Sequence, residues 1–198
     1  MTRFLLLSAL LLLTACGENG PVRLPYAPTT AVPPGGSANV SVGPVTDGRG
    51  EEDPTWLGAV RGGYGNPLRV LHGERPAADL VRQALSDGLA ARGMLAPAGR
   101  GTREIRATVV QLDVDRYHRI EARLDLRLAV FSASGREVYQ DEVKLDHVTG
   151  SIVSLDTGVF ADPAELRALL TRTLSEAVDQ LLDKPGFRQA VHAGGRVS

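Results

Sequence analysis

One cysteine among 198 residues rules out an internal disulfide and a cysteine-built zinc cage. The histidines, His72, His118, His147 and His192, have neither a second histidine nor a cysteine at metal-ligand spacing. They read as surface or strand-end side chains, and no metal is expected. An excess of one charge is missing too: 22 basic residues against 23 acidic ones leave −1, without the electrostatic footprint of a nucleic-acid binder. No Gly-x-Ser-x-Gly elbow, phosphate-binding loop or dinucleotide-type glycine pattern occurs, so the usual marks of a hydrolase or nucleotide-dependent enzyme are absent. What remains is ordinary: 43% hydrophobic and 23% charged residues exclude a disordered chain, and the length suits one domain.

The N-terminus carries the clearest signal. Arg3 supplies a positive start and Phe4 to Leu13 an apolar run of 10 residues, too short for a membrane span, which takes roughly 20. Leu13-Thr14-Ala15-Cys16 follows and resembles a bacterial lipobox, in which the cysteine is acylated and becomes the mature N-terminus. Residues 1–15 therefore read as a lipoprotein signal peptide and Cys16 as the lipidation site. Ala15 also suits ordinary signal peptidase, which would leave Cys16 a lone free thiol, a poor arrangement in an exported protein. Each buried methylene contributes roughly 0.8 kcal/mol, and stable anchoring takes more than one chain, so two or more acyl groups such as palmitate on Cys16 would hold the protein at the membrane. Without residues 1–15, 183 residues remain, 21 of them basic and 23 acidic. This balance gives no general attraction to anionic lipid, and anchoring falls to the acyl chains.

Residues 16–37 are rich in Pro and Gly and read as a tether reaching some 60 Å at about 3 Å per residue. The domain is expected over residues 38–192, with a flexible tail at 193–198. Val40, Val42 and Val45 mark a first or edge strand interrupted by Gly43-Pro44. Trp56 to Val60 and Leu68 to Leu71 flank Gly62-Gly63-Tyr64-Gly65, which reads as the turn of a hairpin. From Pro76 the period becomes helical, with Leu80, Val81, Ala84, Leu85 and Leu89 in one stripe, Arg92 near the negative end of the dipole and Gly93 as the stop.

Arg103 to His118 alternates, but its apolar set changes from Ile105, Ala107 and Val109 to Val110, Leu112 and Val114. One face cannot hold both sets, so a bulge is expected at Val109-Val110. Ile120 to Phe131 alternates without a break, Ser134-Gly135 turns the chain, and Val138 to Val148 returns. Asp162-Pro163-Ala164-Glu165 resembles a capping box that opens a leucine-striped helix stopped by Pro185-Gly186. The expected fold is α+β: a two-layer sandwich of a mostly antiparallel sheet with two amphipathic helices on one face.

Several local strings then carry a resemblance: Ala91-Arg92-Gly93-Met94 closing a helix, Val110-Gln111-Leu112 in a strand, Ala133-Ser134-Gly135 at a hairpin, and Phe187-Arg188-Gln189 after the last helix. From about Leu71 to Val191 the chain resembles the YajG-type envelope lipoproteins. The resemblance implies a periplasm-facing lipoprotein, carries over Cys16 alone as a functional residue, and, with Gly17 rather than Asp after the cysteine, implies the outer membrane. Asp47 to Glu74 depart from the family pattern.

Candidate chemistry is sparse. Asp113 and Asp115 share a strand face and in principle form an acid–base pair, but beside Arg116 they read as a solvated face. Asp47, Glu51, Glu52 and Asp53 lack calcium-loop spacing. Two features suit a partner: Arg116-Tyr117-His118-Arg119, which groups cations with an aromatic, and Trp56, an interface-anchor type. The expectation is a non-enzymatic, cofactor-free lipoprotein serving envelope integrity or assembly through an envelope protein partner, with no nucleic acid bound. The alternative is an auxiliary lipoprotein of an ABC-type lipid or solute transport system. A hydrolase with a composite site ranks third, because no nucleophile–base pair is visible.

Overall fold

The computed structural model describes residues 20–32, 37–98, 100–150 and 163–192. The leader, Cys16, Asp162 of the expected capping box and the tail at 193–198 lie outside them.

Among the described residues nine elements follow in chain order: β1 (Val40–Asp47), β2 (Trp56–Arg61), β3 (Pro67–His72), α1 (Ala77–Ala91), β4 (Arg103–Arg116), β5 (Ile120–Ser132), β6 (Glu137–Thr149), α2 (Pro163–Asp183) and α3 (Pro185–His192). The strands form one six-stranded sheet in the order β3-β2-β4-β5-β6, with β1 also on β4. All long pairings are antiparallel except those of β1 and β2, which run parallel to successive stretches of β4. α1 packs on β1 and β4, and α2 on β4, β5 and β6. This is the α+β sandwich that the alternation and the helical stripes require.

The strongest alternation behaves as its period dictates. On β5, Ile120, Ala122, Leu124, Leu126, Leu128 and Val130 are buried, while Arg127 on the other face is exposed. The expected bulge is present: the β4–β5 register shifts between Val109 and Gln111, where the buried set changes. α1 ends as its glycine implies. Gly93 adopts φ 65°, and the Met94 amide donates to the Leu89 carbonyl at 2.9 Å, a Schellman-type closure.

Three expectations need correction. The count of two helices is one short: α2 ends at Asp183, as the stop at Pro185-Gly186 implies, but after a break at Lys184 α3 follows at once, because proline lacks only the amide that a first helical residue leaves unused. Phe187 and Val191 of this third helix are buried.

Secondly, the Pro/Gly-rich segment is not a free tether over 16–37. Val22 and Leu24 are buried, Tyr26 is half-buried, and Arg23 and Pro25 face out, so residues 22–26 alternate like a strand. The Val22 amide donates to the His72 carbonyl at 2.7 Å and the Glu74 amide to Val22 at 3.0 Å. Prolines keep this strap extended without requiring donors, and the alternate apolar residues give it a face to bury.

Thirdly, Arg92 stands at the C-terminal end of α1 as expected, but its role is larger than that of a dipole partner: it is a buried clasp between α1, α2 and the strap. It ion-pairs with Asp179 at 2.8 Å and Asp183 at 2.6 Å and donates to Tyr26 Oη at 2.9 Å and the Gly88 carbonyl at 3.0 Å. Tyr26 donates in turn to Asp179, as do the Thr29 amide and hydroxyl, each at 2.7 Å. Burial by itself favours neutral Asp179, but the bonds from Thr29, Tyr26 and Arg92 prevail and hold its carboxyl below the usual range.

A second buried arginine closes a gap in the sheet. Between the last β1 partner on β4, Val109, and the first β2 partner, Val114, the β4 edge has no strand beside it. Arg49 fills the space: Nη1 donates to the Trp56 and Leu112 carbonyls, Nη2 to Pro54, and Asp47 neutralises the guanidinium at 2.8 Å. Arg49→Met should therefore orphan buried carbonyls and lower stability by about 2–3 kcal/mol, visible as a shifted urea midpoint with an unchanged m-value.

Candidate functional site

The sheet end that carries the β4–β5 turn also carries the tip of the β2–β3 hairpin, and the two are joined: Tyr117 Oη donates to the Gly63 carbonyl at 2.8 Å. This contact presents a group of apolar side chains to solvent. Tyr64, in the glycine-rich turn, is wholly exposed, while Tyr117, Leu68 and Val70 are each more than 40% exposed. Leu68 and Val70 lie on β3, whose one long pairing is with β2. A short strand with exposed apolar residues and an open edge is a template for a further strand. The strap already uses one end of it, bridging Val22 to Gly73 just beyond β3, and leaves Pro67 to Leu71 open among the described residues.

The residues singled out from sequence are distributed unevenly around this patch. Tyr117 belongs to it, its ring 4.0 Å from that of His118. Arg119 is at the same turn, within 3.4 Å of Glu121. Arg116 points to the helical layer, where its side chain is mostly buried and 3.5 Å from Glu165 of α2. Trp56 lies at the opposite end of β2, half-buried and paired across the ladder with His72. Tyr64, Leu68 and Val70 were missed, because a tyrosine in a glycine turn and an alternating β3 read equally well as hairpin structure. The available signal was apolar residues in a strand next to a flexible turn.

Asp113 and Asp115 are engaged structurally. Arg123 lies 3.0 Å from Asp113 and 3.4 Å from Asp115; Arg61 pairs with Asp115 at 3.2 Å, and Gln111 donates to Asp113. Asp113 is buried rather than solvated, and burial pushes its pKa up despite Gln111 and Arg123. This ladder ties β2 and β4 to β5, and with its carboxylates bound to guanidinium groups it has the character of a structural network. His147 likewise faces α2, near Thr173 and Glu176, rather than lying free at a strand end. Among the described residues no group of three His, Cys, Asp or Glu side chains is placed to hold a metal ion, and no helix is long and apolar enough to cross a membrane.

No protein-family model matches the chain, and no curated protein matches it. Solved structures do share its fold. The chain is similar to protein XCC0632 from Xanthomonas campestris, described as DUF330, with TM-score 0.60 at 16% identity, covering 88% of this chain and 95% of that one. A crystal structure of an uncharacterised protein aligns with TM-score 0.53 at 11% identity, over 83% and 97% of the two chains. At these identities the shared property is the fold.

Proposed function

We propose that this chain is a non-enzymatic, lipid-anchored envelope protein, held through Cys16 at the outer membrane, that serves envelope integrity or assembly by binding another envelope protein along β3. The observation that carries the binding role is the open apolar edge of β3 next to Tyr64 and Tyr117, since a strand added there would satisfy backbone groups and cover Leu68 and Val70 together. The lipobox and the YajG-type resemblance support the anchor and the compartment. The carboxylates engaged with arginines support a binding role over a hydrolytic one.

Two measurements test the two halves. Cys16→Ser should move the protein from the membrane pellet to the soluble periplasmic fraction, and unchanged pelleting would count against the anchor. A photo-crosslinking residue at Leu68 should give one discrete protein adduct in intact envelopes, at least about tenfold stronger than the same residue at Gln140 on β6. Val70→Lys should abolish it, by placing a charge in the apolar contact. Equal labelling at both positions would refute the β3 site.

A further inference from the structure

The strap fixes which face of the body a lipidated Cys16 would turn to the bilayer, and this step rests on the proposed anchor. Gly20 already lines a hollow with Val22, the β3 residues Arg69, Val70 and His72, and Arg167. It stands four residues after Cys16, so at roughly 3.5 Å per extended residue the lipidated end lies within about 14 Å of that hollow. The tether is too short for the body to stand clear, and the surface around Gly20 is held next to the headgroups.

The chemistry of that surface differs from the rest of the molecule. A second hollow, of about 650 Å³, runs between the strap and α2, with Pro25, Ala27, Pro28, Ala164 and Ala168 as its apolar lining and Arg23, which is paired with Glu74 at 2.6 Å, Arg167 and Arg172 as cations. No acidic residue lines either hollow among the described residues. Many arginines elsewhere are matched to carboxylates, Arg49, Arg61, Arg92, Arg123 and Arg127 each within 4.0 Å, and Arg103, which has none, donates instead to the Ala190 carbonyl. Arg69, Arg167 and Arg172 have no ion-pair partner among the described residues. Arg167 borders both hollows, and its Nε is buried without a hydrogen-bond partner. Arg167 and Arg172 beside an apolar trough, with Arg69 across the adjoining hollow that Arg167 shares, lie within reach of a lipid anchor and complement a layer of phosphate headgroups over acyl chains.

We infer that the strap–α2 face docks onto the anionic headgroups of the membrane that carries the anchor, with Arg69, Arg167 and Arg172 binding lipid phosphate. The acyl chains hold the protein at the bilayer, and these arginines orient it, so that the Tyr64 and Leu68 end of β3, beyond Arg69, is the part left for a protein partner. The near-zero net charge conceals the patch, because acids and bases cancel over the whole chain and not over this face.

The test uses the exported Cys16→Ser protein, so that binding reads the surface and not the acyl chains. Co-sedimentation with mixed phosphatidylglycerol–phosphatidylcholine vesicles should exceed that with phosphatidylcholine alone by at least about tenfold and fall as salt rises. Replacing Arg69, Arg167 and Arg172 together by Gln should reduce binding to the phosphatidylcholine level, while the triple Lys variant should retain most of it. Should the triple Gln protein fail to fold by circular dichroism, exposed Arg172→Gln alone should weaken binding about fivefold. Equal partition onto both vesicles, or Gln variants that bind like wild type, would overturn the docking face, including the case in which these arginines serve a protein partner instead. Such a result leaves the anchor intact. An unmodified Cys16 by intact-mass analysis would refute the anchor without altering the vesicle result.

Discussion

Arg92→Leu is expected to destabilise the protein by about 3–5 kcal/mol, because it removes the cation from a buried network and leaves a carboxylate with almost no access to water. At about 2–4 °C per kcal/mol for a chain of this size, the melting temperature should fall by roughly 10 °C, read by differential scanning calorimetry. Asp179 keeps its bonds from Tyr26 and Thr29, so the loss is expected near the lower end of the range. Arg92→Leu combined with Asp179→Leu should be less destabilised than the single variant, since the uncompensated charge is then gone. If the double variant loses at least as much as the two singles combined, charge burial is not the cause.

The same network predicts an acid limit. Asp179 has its carboxyl held below the ordinary value, so its contribution is complete above about pH 4 and is lost as pH falls through the lower folded value. The strap should loosen in that window, with protease cleavage near Tyr26 appearing before the core unfolds. In Asp179→Asn that pH dependence should vanish.

Gly58→Ala is expected to cost more than about 4 kcal/mol or to detach the β2–β3 hairpin. Gly58 has φ 140°, and a Cβ built there would lie 1.8 Å from the Val114 carbonyl oxygen, on the β4 backbone, where no rotamer change can relieve it. Gly58 is also the first β2 residue paired with β4, so the clash falls on the ladder that holds the hairpin. Hydrogen exchange should show early loss of protection in β2 and β3, with β5 and β6 affected less. Because Leu68, Val70 and Tyr64 depend on that hairpin for their position, crosslinking at Leu68 should disappear in the same variant. Wild-type stability would mean that β2 does not lie against β4 in this register.

Legibility followed the length scale of each interaction. The alternation of β5, the face change in β4 and the glycine stop of α1 are local patterns, and the structure reproduces them. The strap was misread because proline and glycine content masked the alternation of Val22, Leu24 and Tyr26, which acquires meaning only from the β3 edge and α2 beneath it. Arg92 and Arg49 were opaque for a related reason. An arginine at a helix end or in a loop is ordinarily solvated, and its burial here depends on Asp179, Asp183 and backbone carbonyls far away in the chain.

Composition, period and the Cys16 motif were enough to specify the fold class, the order of the strands and of α1 and α2, and the expected address at a membrane. Each of these depends on residues within a few positions of one another. The assembly of Tyr64, Leu68, Val70 and Tyr117 into one patch, and of Arg69, Arg167 and Arg172 beside the strap, was decided by the tertiary structure alone. Such surfaces draw on residues tens to about a hundred positions apart, and which side chains meet depends on strand order and helix packing, which no local periodicity encodes.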